Sequence, residues 1–280
     1  MTPILVATDL SARSDRAVQR AADLARGLGA ELHILHVIDD EIPASFLRRR
    51  CEEAEATIRS MVKGSEVLAA LDPRIDVEAG HPPRVIASAT AERDVGLLVL
   101  GTHRSRGLRD LVGVPSLCRV LRAVEVPVLI AVGEPVSYGT VVVGYDFSPA
   151  AATATDLARR LAPDARLRLV HAWQDTMVGA RSLRGIEAVT RAEQDSIDRR
   201  LAEVVGTLEP GGMEVSADRV TGGPEAALLQ AAERPDIDLL ALGRHARSGL
   251  ARFFLGDTAE AMALEAPCDV LIATPALRGD

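Results

Sequence analysis

Aromatic residues are scarce in this chain: four Phe, two Tyr and one Trp make up 2% of it. The stacking platforms that hold single-stranded nucleic acid have little to be built from. Basic charge is in deficit as well, with 32 Lys and Arg against 40 Asp and Glu, a net charge of −8 and a pI near 5.4. No global attraction for phosphate backbones or anionic membranes results, and neither partner is expected. The three cysteines, Cys51, Cys118 and Cys268, are odd in number, widely spaced and free of any Cys-x-x-Cys pattern. That excludes a disulfide framework and a structural zinc site, and suits a reducing cytoplasm. No apolar run approaches the roughly 20 residues needed to cross a bilayer. The start, from Met1 to Asp9, also lacks the basic and long apolar regions of a signal peptide. A soluble, cytoplasmic protein is the expectation.

What the chain does hold is apolar bulk, 48% of 280 residues and mostly Ala, Leu and Val. That is material for one large or two ordinary domains. A long-period repeat decides between them. Asp94-Val-Gly-Leu-Leu-Val-Leu-Gly101-Thr-His103 is echoed by Asp236-Ile-Asp-Leu-Leu-Ala-Leu-Gly243-Arg-His245, an offset of 142 residues. The same offset relates Gly80-His81-Pro82 to Gly222-Gly223-Pro224, and Val128-Leu-Ile-Ala131 to Val270-Leu-Ile-Ala273. Nearer the start it drifts, with Asp9, Ser11 and His36 facing Asp146, Ser148 and His171. Solenoid repeats run to roughly 20 to 50 residues, so this period is a duplicated domain. Domains over 1–136 and 137–280 are expected, joined through the Gly- and Pro-containing stretch 133–139.

In the first half, short apolar runs at 4–8, 31–37, 75–79, 96–100 and 128–132 read as strands of a parallel sheet covered on both faces. Between them lie helical periods. Leu47, Cys51, Ala54, Ile58, Met61 and Leu68 form one stripe over 47–71, and Ile186, Val189, Ile197, Leu201, Val204 and Leu208 form its counterpart. Ser11 and Ser148 stand where helices begin, the latter followed by Pro149. Five strands with four crossovers make a doubly wound α/β domain, present twice. The two sheets are expected to stay unmerged, each with an apolar last strand that needs cover. A further homodimer is compatible with this.

Ligands of such sheets bind beyond the carboxyl ends of the strands. There the polar repeat residues gather: Asp9 and Asp146, His36 and His171, and the segments from Gly101 to His103 and from Gly243 to His245. A strand-end polar residue can equally serve to cap the next helix. His33 and His36, three apart on one strand, point to opposite faces and share no metal. Neither a Gly-x-Ser-x-Gly elbow nor a Walker-type Gly-Lys-Ser/Thr occurs. Cys118, in a helix, and Cys268, before a strand, read as buried inert thiols.

The ordered set Ile4-Leu-Val-Ala-Thr-Asp9-Leu-Ser11, Leu35-His36-Val37, Leu98-Val-Leu-Gly101-Thr-His103 and Val126-Pro-Val-Leu-Ile130 resembles the universal stress protein family. The second half repeats it through Asp146-Phe-Ser148-Pro-Ala, Val170-His171-Ala172, Leu242-Gly243-Arg-His245 and Cys268-Asp-Val-Leu-Ile272. The resemblance implies an adenine-nucleotide alpha hydrolase-like sheet in order 3-2-1-4-5, a pseudo-dimer of the two halves packed through their last strands, Val128–Val132 and Val270–Thr274, and a role in stress adaptation. Nucleotide-binding members carry Gly-x2-Gly-x9-Gly-Ser/Thr after the fourth strand, where glycines let backbone N–H groups close on phosphate at a helix start. In them the first-strand Asp lies by the ribose and phosphates, and backbone at the second-strand end reads adenine.

Both halves depart from that pattern. The first has Gly101, Arg104, Val114 and Pro115 at the four positions, a loop unfit to cradle phosphate. With Asp9, Val37 and His103 it makes a degenerate site. The second keeps the spacing with Gly243, Ala246, Gly256 and Asp257, and its expected ligand residues are these with Asp146, Val170, Ala172, His245 and Thr258. Asp257 sets a carboxylate where phosphate would lie, at a cost of order 1 kcal/mol. Arg104, Arg106 and Arg109 in one loop, and Arg244, Arg247 and Arg252 in the other, are either substitute anion ligands or a solvated basic surface. The reading is a regulatory binding protein with weak ATP or AMP binding in its second domain. The alternative is a nucleotide-independent module for a partner or small ligand, and slow ATP hydrolysis stands third.

Overall fold

A computed structural model describes residues 2–40, 43–102, 116–134, 137–174, 184–209, 212–244 and 255–274. The first half runs β1 (Ile4–Thr8), α1 (Ala12–Leu28), β2 (Leu32–Ile38), α2 (Ala44–Lys63), α3 (Glu66–Leu71), β3 (Arg74–Ala79), α4 (Pro82–Glu92), β4 (Leu97–Gly101), α5 (Ser116–Ala123) and β5 (Val128–Ala131). The second runs β6 (Thr140–Gly144), α6 (Pro149–Leu161), β7 (Arg166–Trp173), α7 (Arg184–Leu208), β8 (Val215–Thr221), α8 (Pro224–Ala232), β9 (Leu239–Gly243), α9 (Asp257–Glu265) and β10 (Asp269–Ala273). The stripe at 47–71 is not one helix. It breaks at Gly64, and Ser65 starts α3 afresh by accepting a hydrogen bond from the Leu68 amide.

Each half orders its strands 3-2-1-4-5, all parallel, as the family resemblance implies. The expectation of two unmerged sheets is corrected. β5 and β10 pair antiparallel, Ile130 with Val270, Leu129 with Leu271 and Val128 with Ile272, giving one sheet of ten strands ordered β3-β2-β1-β4-β5-β10-β9-β6-β7-β8. Both strands are buried along their whole length. An edge this apolar would expose side chains and unpaired backbone together, and pairing the two copies removes both costs. The outer edges, β3 and β8, are instead half-buried and carry charges such as Asp76, Glu78, Asp218 and Arg219.

Alternate residues of each strand feed two cores. Ile4, Val6, Leu129 and Leu271 meet α1, α3 and α6 on one face, while Leu5, Ile130, Leu240 and Ile272 meet α4, α5, α8 and α9 on the other. Each core takes residues from both halves. Because strands are parallel within a half and antiparallel across the junction, the carboxyl ends of the two halves open at opposite edges of the sheet.

Candidate functional site

The turn from strand to helix is built alike in both halves. Leu10 and Phe147 take left-handed backbone, with φ of 61° and 62°, which bulky residues adopt only where neighbours over-determine them. Asp9 and Asp146 do so: each accepts the amide of the Ser two residues on at 3.0 Å. Ser11 and Ser148 then cap α1 and α6 by accepting the amides of Ser14 and Ala151. His36 and His171 donate from Nδ1 to the carbonyls of Thr8 and Tyr145 at 2.8 and 2.7 Å, tying the second strand to the first. These polar repeat residues therefore hold the mouth in shape. Their carboxylates still line the cavities above.

Behind the mouth of the second half lies a cavity of about 310 Å³. It brings together Asp146, Val170, Ala172, Gly243, Gly256, Asp257 and Thr258, seven of the nine residues singled out from the sequence. The other two, His245 and Ala246, lie outside the described residues. The two strand-four glycines sit here for packing. A Cβ on Gly243 would stand 2.3 Å from the backbone carbon of Ala150, so glycine is what lets β9 end against the first turn of α6. Gly101 is placed the same way, 3.2 Å from the Ser14 Cα. Gly256 differs, because a Cβ there would meet nothing within 4 Å among the described residues. It precedes α9, whose first amides have no side-chain cap, and Asp257 follows in the first turn, where a carboxylate suits the helix dipole. The described lining holds two carboxylates, Asp146 and Asp257, and no Lys or Arg.

The first half keeps a cavity too, of about 290 Å³. Asp9, Val37 and Gly101 line it as expected, with Arg13, Ser14, Ile86, Leu100, Thr102 and Val120. His103, Arg104, Val114 and Pro115 lie outside the described residues. Arg13 was not anticipated. Aligning Ser11 with Ser148 would have found it, since the residue two places on is Arg13 in one copy and Ala150 in the other.

Arg244 is corrected on both readings of the basic loops. It is neither an anion ligand at the mouth nor solvated, being 1% exposed. Its guanidinium reaches into the first half and donates to the carbonyls of Leu121 and Val124 at 2.5 and 2.7 Å, capping the end of α5. Burial pulls its pKa down to about 10. Beside the second mouth, Tyr145 meets Phe147 edge to face, Phe147 meets the His171 ring at 4.9 Å, and the Arg200 guanidinium lies 3.8 Å over Phe147. Tyr145 and Phe147, with Trp173 below, are three of the chain's seven Phe, Tyr and Trp residues, collected at this one place. In the first half, where Leu10 replaces Phe147, the corresponding region is an open groove edged by Asp9, His36, Arg50, Glu53 and Thr57.

The sequence model of the Universal stress protein family matches the chain twice, over residues 1–131 and 137–274. The chain belongs to the universal stress protein family. A universal stress protein of Mycobacterium tuberculosis is 26% identical over 288 residues, covering 96% of each chain. Universal stress protein A homolog 1 of Coxiella burnetii is 28% identical over 119 residues, covering 39% of this chain and 82% of its own. In fold, the chain is similar to a universal stress protein of Archaeoglobus fulgidus, with a TM-score of 0.69 at 22% identity, covering 98% of both chains. Family membership fits the duplicated doubly wound architecture. Among the described residues of this family member, no helix is long and apolar enough to cross a membrane.

Proposed function

We propose that this universal stress protein is a non-catalytic binding protein of the stress response, with domains over 1–136 and 137–280. Its second-half cavity takes an adenine nucleotide weakly and favours few phosphates. The observation that supports this is the convergence of Asp146, Val170, Ala172, Gly243 and Gly256 on one cavity at the uncapped start of α9. The walls from Val170, Leu228 and Leu242 suit a base, and the open space over Gly256 suits an anion approaching backbone amides. Asp146 and Asp257 oppose added charge, so each further phosphate lowers affinity unless a divalent cation offsets it.

Calorimetric titration of AMP, ADP and ATP into the full chain, with and without Mg²⁺, tests the proposal. Without the metal, affinity should fall in that order from a Kd of roughly 1 mM, about −4 kcal/mol. Mg²⁺ should narrow the spread. Gly256→Ala should cost stability only by what Ala loses to Gly at a helix N-cap, under about 1 kcal/mol, since its Cβ meets nothing within 4 Å among the described residues, yet weaken AMP several-fold. No saturable binding of any of the three at millimolar concentration sinks the nucleotide reading. That result would favour the second reading, a nucleotide-independent module, for which the two carboxylates and the absence of Lys and Arg from the described lining already argue.

A further inference from the structure

His33, the second residue of β2, is an ionisable side chain set into a core. It is 6% exposed, and it shares a face with Leu35 and with its β1 partner Leu5, both in the core under α4. Its Nδ1 is buried without a hydrogen-bond partner. Its Nε2 lies 3.7 Å from the carboxylate of Glu31, a side chain 80% exposed. The strand on its other side, β3, is an outer edge of the sheet. Arg74 stands directly opposite His33 there, followed on the same face by Asp76 and Glu78. Asp76 holds Arg74 at 3.0 Å and also Arg93, the residue that ends α4, at 3.2 Å, and Glu78 holds Arg93 as well. One guanidinium thus ties the end of α4 to the edge strand.

We infer that His33 is an acid-sensitive latch: a proton on its ring loosens β3 and the end of α4 from β2, while the junction between the halves stays closed. A neutral imidazole tolerates burial with one nitrogen unpartnered, whereas an imidazolium needs water or an anion around it. The described charges that face it are Glu31 on its own strand, Arg74 and Asp76 on β3, and Arg93 at the end of α4, while β1 offers it only Leu5. Glu92 and Asp94, on either side of Arg93, are exposed. Asp76 already serves two guanidiniums, so a third cation competes for it or turns to Glu31, which stands in water and gives little. Burial first, then Arg74 and Arg93, hold the His33 pKa below 6.5, with Glu31 opposing. The closed edge therefore refuses a proton that the opened edge accepts. Closure is complete above pH 6.5 and is lost as pH falls from there towards the lowered value. The second half shows what a permanent charge requires at this position. Arg168 replaces His33, and the third-strand carboxylate, Asp218, accepts from it directly at 2.5 Å. In the first half the equivalent carboxylate is Asp76, which Arg74 and Arg93 share. Because α4 also supplies Pro82 and Ile86 to the first-half cavity, opening the latch slackens one wall of that cavity. The inference is independent of any nucleotide in the second half.

The test is amide hydrogen exchange of the full chain between about pH 7.5 and 5.5, above the carboxylate range, with rates corrected for intrinsic chemistry. The opening constant of β3 and of the end of α4 should rise as pH falls below 6.5, by up to about tenfold per pH unit, the limit for uptake of one proton. Amides of β5 and β10 should keep theirs. His33→Gln puts a group that does not titrate in the same place and should abolish the rise, whatever the other histidines contribute. Glu31→Gln alters an exposed side chain and should fold normally; it removes an anion that favours the imidazolium, so the rise should extend to lower pH. In the parent protein the His33 ring, followed by NMR, should titrate below 6.5. A flat opening constant, a rise that persists in His33→Gln, a rise shared equally by β5 and β10, or a His33 ring that titrates at or above 6.5 each overturns the inference.

Discussion

Arg244 offers the sharpest test of how the two halves are joined. Its guanidinium is buried, belongs to the second half, and satisfies two carbonyls at the end of a first-half helix. Replacing it with Met keeps most of the volume and removes the donors. Two buried carbonyls are then stranded, at roughly 1 to 3 kcal/mol each. Against this, a cost is relieved. The fall from 12.5 to about 10 means that burial disfavours the charged form by about 3 kcal/mol. Arg244→Met should therefore destabilise by at most about 3 kcal/mol. Arg244→Ala adds an unfilled cavity and should lose about 3 to 5 kcal/mol. Urea denaturation followed by circular dichroism measures both. Hydrogen exchange should localise the early loosening to the amides around Leu121 and Val124 and spare β7 and β8. An Ala variant within about 0.5 kcal/mol of the parent would show that the cross-half cap contributes nothing.

Two further outcomes follow from packing and burial. Gly243→Ala places a Cβ 2.3 Å from the Ala150 carbonyl carbon and should destabilise by about 1 to 3 kcal/mol in urea, while Gly256→Ala should cost less, only the N-cap preference for Gly over Ala. Burial pushes the thiols of Cys118 and Cys268 up to about 11 and about 12, from an ordinary 9.0. The native state then keeps protons that the unfolded chain sheds above pH 9, so this stabilisation is complete below pH 9 and is lost as pH rises through 11 and 12. Each thiol should contribute a slope of about 1.4 kcal/mol per pH unit, and Cys118→Ala should remove its share between pH 9 and 11. An unchanged slope in urea midpoints would refute it.

What the sequence made legible is what physics repeats locally. Continuous apolar runs marked the strands, Ser before an apolar period marked the caps of α1 and α6, and the constant offset between Gly101 and Gly243 exposed the duplication. Gly80 and Gly222, matched at that offset, share φ of 145° and 144°, backbone that only glycine enters freely. Features that depend on remote partners stayed hidden. That β5 and β10 cover each other was expected from the family resemblance, but their joining edge to edge into one sheet was not, since strand pairing across the junction leaves no local periodicity. Arg244 read as part of a basic loop because its capped helix lies 120 residues upstream of it.

The same distinction separates the two kinds of glycine at the mouth. Gly243 and Gly101 fit a phosphate-loop pattern, yet backbone of the next-packed helix already forbids a side chain at Gly243 and crowds one at Gly101. They would be retained in a copy that had ceased to bind nucleotide, so their presence carries little information about ligand. Residues without a packing reason are the informative ones: Gly256 over open space, Asp257 at an uncapped helix start, and Arg13 where its duplicate has Ala150. Meanwhile Asp269, 1% exposed, accepts the amides of Val132 and Gly133 and the Tyr138 hydroxyl and pairs with Arg20 at 2.8 Å, fixing the connection between the halves from within the second. Its duplicate is Pro127, which can do none of this. With the frame held by such features of one copy alone, each cavity was free to change its charge without endangering the fold, and cavities of about 290 and 310 Å³ whose described linings differ in charge are what that freedom produces.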